Sequence, residues 1–279
     1  MLTDSKDIEL TGLIDIHIHS APDVRPRSLD DFEAAQQAVI AGMQGIVLKS
    51  HVVATADRAA IAQKAVPGVW VFGGLTLNDS VGGLNPSAVE VALRLGARII
   101  WMPTISALNH VQWHGGLSGI KLLTNSQASP SLLAILELIK KHDVILATGH
   151  LSVAETVSLV RAAQDAGVRK IVVTHPEVPW VAMPANVQEE LRDAGVYFER
   201  CFASTTPSGG GVLLDRIIAD IRRVGISSTV LSTDLGQPDN PLPVEGLRIY
   251  LCALLAAGFS QSDIQCMVKD NPARLLGLA

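Results

Sequence analysis

The sequence predicts an α/β fold, a (β/α)8 TIM barrel with an insertion after strand four and an extra C-terminal helix. Three observations predict it. Eight short runs rich in Ile and Val alternate with longer amphipathic stretches along the 279 residues. No break in composition divides the series, so residues 1–279 read as one barrel domain. No Gly-x-Gly-x-x-Gly follows a strand, which weighs against the runner-up, a doubly wound open sheet.

The eight runs are Leu13–Ile18, Gly45–Leu48, Val69–Leu75, Ala97–Met102, Val144–Thr148, Lys170–Thr174, Val196–Glu199 and Thr229–Thr233. Continuous apolar runs of this length suit parallel strands covered on both faces. Helical grammar fills the gaps. Ser28–Gly42 opens with Ser28 as N-cap, carries Asp30 and Asp31 in its first turn and closes on Gly42. Asn85–Leu95 starts Asn-Pro and stops before Gly96. Ser129–His142 begins Ser-Pro. In Ser152–Gly167, Ser152 and Glu155 have capping-box spacing and Gly167 sits just past the end. Pro184–Gly195 and Gly211–Val224 continue the pattern, and Val244–Ala257 and Ser260–Leu276 follow the last strand. Residues 105–128 are too long for an ordinary loop and read as an insertion, with Gly119–Leu123 and Asn125-Ser126 forming a small hairpin.

Composition excludes several classes. Hydrophobic residues make up 48% and charged ones 18%, so a sizeable core is expected and wholesale disorder is not. A net charge of -5 without a concentrated basic run argues against nucleic acid. Met1 to Leu10 carries Asp4, Lys6, Asp7 and Glu9 and lacks the apolar core of a signal peptide, and no uncharged apolar run reaches membrane-spanning length. Cys201, Cys252 and Cys266 are odd in number, with no Cys-x-x-Cys, so neither a disulfide framework nor a thiolate zinc site is suggested. A cytoplasmic, membrane-free setting with a small-molecule substrate is the expectation.

In a barrel of this kind the reacting groups sit at the C-terminal ends of the strands. Strand one ends on His17 and His19, which leave on one face because side chains alternate. Strand two supplies Lys49 and His51, strand five His150, strand six His175 and strand eight Asp234. Five of the eight histidines fall at such ends, more than scatter would place there. Imidazoles with a carboxylate suit zinc or a similar first-row ion better than calcium or magnesium. Such an ion lowers the pKa of water toward neutrality, and Asp234 would serve as general base and return the proton to the leaving group. For any single histidine the bland alternative, a ring that caps a helix or bonds a loop carbonyl, stays open; the set favours a metal.

The chain resembles the amidohydrolase superfamily of metal-dependent hydrolases. The resemblance lies in His17-Ile18-His19, in Ala147-Thr148-Gly149-His150, in Val173-Thr174-His175-Pro176, in Ser232-Thr233-Asp234 and in the closing Asn271-Pro272-Ala273-Arg274-Leu275-Leu276-Gly277, and it runs nearly end to end. It implies that His17, His19 and Asp234 hold the more buried metal, that His150 and His175 hold a second ion or share ligation and substrate contact, and that Asp234 shuttles the proton. Strand four departs from the pattern. It ends Trp101-Met102-Pro103-Thr104, where binuclear members carry a bridging lysine or glutamate. One metal is therefore expected, with Lys49 or His51 as the route to a second; Lys49 reads equally well as a cation that anchors substrate.

The expected reaction is hydrolysis of an amide, ester or lactone bond. Metal-dependent decarboxylation or hydration is the alternative within the superfamily. The opening Asp15-Ile16-His17-Ile18-His19-Ser20 is also similar to the polymerase-and-histidinol-phosphatase family of phosphoesterases, but those barrels close with Asp-x-His and here Asp234-Leu235-Gly236 does not. A non-catalytic ligand-binding barrel is the third reading, against which stands the retained Asp234. Asp15 is expected to orient a ligating histidine or to cap a helix, Glu177 to be a solvated loop carboxylate or an auxiliary acid or base, and Arg200 to bind an anionic substrate group or to form an ion pair with Glu199 or elsewhere. Lys49, Lys121 and Arg200 hint at an anionic group on the substrate. Trp113, His110 and His114 in the insertion suit a cover over the site or a contact between subunits of a homo-oligomer.

Overall fold

The computed structural model describes residues 8–124 and 127–278. Eight parallel strands form the barrel: β1 (Ile14–His19), β2 (Gly45–Lys49), β3 (Trp70–Thr76), β4 (Ile99–Trp101), β7 (Ile145–Ala147), β8 (Ile171–Thr174), β9 (Tyr197–Cys201) and β10 (Thr229–Ser232). Each pairs with the next in the order β1-β2-β3-β4-β7-β8-β9-β10. A two-stranded ribbon, β5 (Leu123–Thr124) against β6 (Gln127–Ala128), lies in the predicted insertion, whose Asn125-Ser126 turn falls outside the described residues. The helices are α1 (Asp31–Ile40), α2 (Ala56–Ala65), α3 (Pro86–Arg94), α4 (Leu108–Trp113), α5 (Pro130–His142), α6 (Val153–Ala166), α7 (Ala185–Asp193), α8 (Leu214–Val224), α9 (Pro243–Ala256), α10 (Gln261–Gln265) and α11 (Asn271–Leu276). Among them no helix is long and apolar enough to cross a membrane.

The barrel closes where the last strand returns to the first. Asp234 N donates to His17 O at 2.8 Å and His19 N to Leu235 O at 2.8 Å, just beyond the end of β10. Asp15 reinforces this seam. Its carboxylate accepts from His17 N (3.1 Å), Thr233 N (3.1 Å) and Thr233 Oγ1 (2.5 Å).

Inside the barrel Ile14, Ile16, Val47, Phe72, Trp101 and their neighbours pack as one cluster, stoppered by Ala273, Leu275 and Leu276 of α11. Two larger clusters fill the layer between strands and helices. Strand β1 changes phase between these layers. Asp15 pairs with Ile46 but Ile18 with Leu48, so β1 carries one extra residue. This bulge lets Ile14 and Ile16 face inward below it while Ile18 joins the outer cluster above it. His17 and His19 consequently face inward; unbroken alternation would have put them on the face opposite Ile16.

Most predicted boundaries are met within a few residues. The capping box of α6 is present, with the Ser152 side chain accepting from Glu155 N, and Asn85 and Ser129 cap α3 and α5. At α1 the cap is Asp30 rather than Ser28, because Asp30 and Glu33 close a capping box two residues later. Helix α2 carries no matching sequence signal: its Thr55 turns its hydroxyl to Leu48 O and Gly74 O instead of to the helix, and its buried face is only Ala56, Ala59 and Ala62. The predicted helix Ser260–Leu276 is α10 and α11 joined by a π-helical turn, Cys266–Asp270. That turn places Asn271 under the barrel, where its amide donates to Ile226 O (2.9 Å) and Thr229 O (2.7 Å) at the foot of β10. Asn271→Ala removes two buried hydrogen bonds, so stability to urea should fall by about 2 kcal/mol, the usual worth of two such bonds.

Candidate metal centre

Closing the seam brings three donors together. His17 Nε2 lies 2.9 Å and His19 Nε2 3.0 Å from Asp234 Oδ1. Both imidazoles are buried, whereas the Asp234 side chain keeps 19% of its surface exposed. Asp234 adopts φ 53, a left-handed conformation costly for a non-glycine residue, which turns its carboxylate back over β1. Gly236 follows at φ 129 with its α-carbon against the His19 carbonyl, too close for any side chain.

His17 is oriented from behind. Its Nδ1–H donates to Glu199 Oε1 at 2.9 Å, and the Ser232 hydroxyl donates to the same oxygen at 2.8 Å. This keeps Nδ1 protonated and turns Nε2 toward Asp234, the nitrogen that a bound ion would take in place of its proton. Burial works to lower the His17 pKa, yet Asp234 and Glu199 outweigh it and raise it to about 9. Burial works the other way on Asp234, but His17 and His19 hold its carboxyl well below the ordinary range. Two imidazole nitrogens and one carboxylate oxygen, mutually within 4.8 Å, suit a divalent first-row ion, and a carboxylate-backed histidine is the arrangement that such ions favour.

Lys49 Nζ stands 2.9 Å from His17 Nε2 and 5.2 Å above the Trp101 ring; burial lowers its pKa. His51 shares a hydrogen bond with Thr104 Oγ1 (2.8 Å), which itself accepts from Asn78 Nδ2 (2.7 Å). Among the described residues the Thr104 hydroxyl hydrogen has no other acceptor, so it is assigned to His51 Nδ1, and the ring proton to Nε2. That makes His51 a donor toward the cavity.

The cavity above these groups measures about 690 Å³ and is lined by His19, Lys49, His51, His150, His175 and Asp234 together with loop residues. Four imidazoles surround the Trp180 indole: the ring centroids of His110, His114, His150 and His175 lie 5.4, 6.0, 5.7 and 6.2 Å from it. His110 comes from α4, and its Nδ1 shares a hydrogen bond with His150 Nδ1 at 2.9 Å. Asn109 beside it donates to His150 O (3.1 Å) and Trp180 O (2.5 Å), fastening the insertion over the site. Burial, then the charges of His114, His175 and Arg25, lower the His110 pKa to about 4, and burial lowers that of His175 to about 4.

A family model described as "Family of unknown function (DUF6282)" matches residues 12–199. No curated protein matches the sequence. Solved structures do. A Pseudomonas putida protein described as a candidate 2-pyrone-4,6-dicarboxylic acid hydrolase shares 18% identity at a TM-score of 0.62, over 97% of this chain and 99% of that one. A 2,6-dihydroxybenzoate decarboxylase from Rhizobium shares 14% at 0.61, over 96% and 99%. An organophosphorus hydrolase from Deinococcus radiodurans shares 15% at 0.60, over 99% and 94%. Similarity at this identity shows the fold alone, a (β/α)8 barrel; this chain adds to it two candidate metal-binding clusters among the described residues.

Of the residues singled out from sequence, the structure brings His17, His19 and Asp234 into one compact donor set. His51, His150, His175 and Lys49 line the same cavity but stand outside that set. A second set, His17, Glu199 and Cys201, lies behind the first. Glu199 was legible only as an ion-pair partner; its position one residue from Arg200 on a strand means that the two must face opposite sides, and Glu199 takes the inner one. Of the two roles expected of Arg200, the ion pair is formed and the contact with a substrate anion is corrected. Arg200 points outward, fully buried, paired with Glu177 and bonded to Gln188 Oε1 at 3.0 Å, and touches neither Glu199 nor the cavity. Glu177, expected as a solvated loop carboxylate, is its buried partner. Asp15 orients the backbone of His17 rather than its imidazole. Arg200→Met strands the Glu177 carboxylate and should lower stability by about 3 kcal/mol, as breaking a buried pair does, read by urea unfolding with near-unchanged metal binding.

Proposed function

The chain belongs to the DUF6282 family, whose function is unknown, and from that premise we propose that it is a metal-dependent hydrolase acting on an amide, ester or lactone bond of a small molecule. The observation that carries this reading is the position of Asp234. One carboxylate oxygen sits within 3.0 Å of both buried imidazole nitrogens, while the side chain stays partly open to a cavity of small-molecule size. A divalent ion held by His17, His19 and Asp234 would activate water and polarise the scissile carbonyl. Zinc suits the nitrogen and oxygen donors.

The chain's own residues do the rest. Asp234 takes the proton of the attacking water and delivers it to the leaving group, because it is the carboxylate that faces the cavity. Glu199 keeps His17 in one tautomer and one orientation. His51, with its proton on Nε2, and Lys49 offer donors to the oxygen on which negative charge develops. His175, kept neutral by burial and set at φ 26 after β8, completes the cavity wall beside Asp234. Trp101 fills the end of β4, its ring 5.8 Å from that of His17, which supports one metal rather than a bridged pair. The hydrolytic assignment of the Pseudomonas putida structure, whose name specifies a cyclic ester bearing two acid groups, agrees with this reading.

Elemental analysis of the purified protein is expected to give about one zinc or similar ion per chain, and His17→Ala/His19→Ala to lose it. The metal-loaded protein should then hydrolyse members of an ester, lactone and amide panel; a protein free of metal after reconstitution, or one that only decarboxylates, overturns the proposal. Glu199→Gln keeps the shape of the site but withdraws the charge behind His17, so metal affinity should fall roughly 10- to 100-fold, the usual effect of losing such a partner. Competition with a chromophoric chelator measures it.

A further inference from the structure

The cavity wall remote from the donor triad holds donors with nothing to bond. Trp180 Nε1 is buried and has no hydrogen-bond partner among the described residues. An indole N–H can only donate, so an acceptor must come from outside the chain. Arg25, on the loop after β1, also lines the cavity, and its guanidinium makes no ion pair among the described residues. The neighbouring Arg27 differs: it is sequestered by Asp23, to which its Nη2 donates at 2.8 Å. The Arg25 loop is held in place from below, where Arg58 donates to Pro22 O (2.9 Å) and Ser20 O (3.2 Å). Lys49 and the imidazoles add further donors, and Asp234 is the one carboxylate in the lining.

On the reading of this cavity as a substrate site, we propose that Arg25 and Trp180 Nε1–H form a subsite for a carboxylate group of the substrate, which holds the reacting bond over Asp234. The chemistry favours a carboxylate over a phosphate. An arginine fork and one neutral N–H match two oxygens in a plane, whereas a dianionic phosphate needs donors around a tetrahedron. The walls agree: the Trp180 indole and the imidazoles of His110, His114 and His150 surround the position with flat rings, a fit for a flat acid. His175 neighbours both the subsite and the triad, its ring 6.2 Å from that of Trp180 and 6.5 Å from that of His17.

The test is calorimetric titration of the full chain after chelator treatment, so that a carboxylate cannot bind through metal. Benzoate, its neutral isostere benzamide, and inorganic phosphate serve as probes. Benzoate should bind about tenfold tighter than either, the discrimination expected of one charge-assisted fork. Arg25→Gln should abolish the preference for benzoate over benzamide, and Arg25→Lys should restore it in part. Trp180→Phe keeps a ring but removes the donor and should weaken benzoate several-fold. Equal binding of benzoate and benzamide, a preference for phosphate, or a benzoate affinity unmoved by Arg25→Gln overturns the subsite. Because these titrations need no turnover, their failure and a failure of the hydrolase assays are separate results.

Discussion

Closure of the barrel between β1 and β10 is the contact on which the site depends. The same few residues that carry the backbone bonds of the seam, His17, His19 and Asp234, also carry the donor atoms. Asp15 ties both sides of it through three hydrogen bonds. Two of those bonds cross from β1 to Thr233 and one is local to β1; they pair the carboxylate, although burial still raises its pKa to about 6. Assembly of the fold and assembly of the donor set are one event. The bulge in β1 completes the arrangement, giving apolar side chains to the lower interior and imidazoles to the upper one.

Electrostatics in the upper barrel follow from how few groups are paired. Glu199 and Asp234 flank His17 and hold positive charge there, whereas His19, His110 and His175 are kept neutral chiefly by burial. Neutral imidazoles are ligands, acceptors and donors at once, and the neighbours decide which. Glu199 holds the His17 proton on Nδ1, so that Nε2 is the nitrogen an ion would take; Thr104 makes His51 present a proton. One residue type thus performs two opposed tasks within a single cavity.

Much of this was legible in the sequence, for physical reasons. The eight strands are short continuous apolar runs because both faces are covered, and the ends of those runs point to the site without any structure. Caps such as Ser152 and Asn85 announce themselves through local chemistry. Other features depend on what lies across space. Helix α2 buries only alanines, so it has little apolar contrast to read, and the cap at Asp30 was hidden by an equally good Ser28. Arg200 and Glu199 could have been told apart by strand parity, but which of them faces inward is decided by the partners waiting on each side, Glu177 outside and His17 inside. His110 and His114 suggested a cover over the site and both line the cavity, whereas nothing in the sequence marked Asn109 as the residue that fastens the folded-back insertion to the segments after β7 and β8.

That fold-back has a consequence for traffic into the cavity. Asn109 spends both of its amide hydrogens on carbonyls of the segments that follow β7 and β8. Lifting α4 to widen the entrance would break both bonds and pull His110 from His150 in the same movement. A passage opened that way would disassemble the wall which the arriving molecule is meant to meet. The seating of the insertion and the integrity of the imidazole wall are therefore one and the same set of contacts.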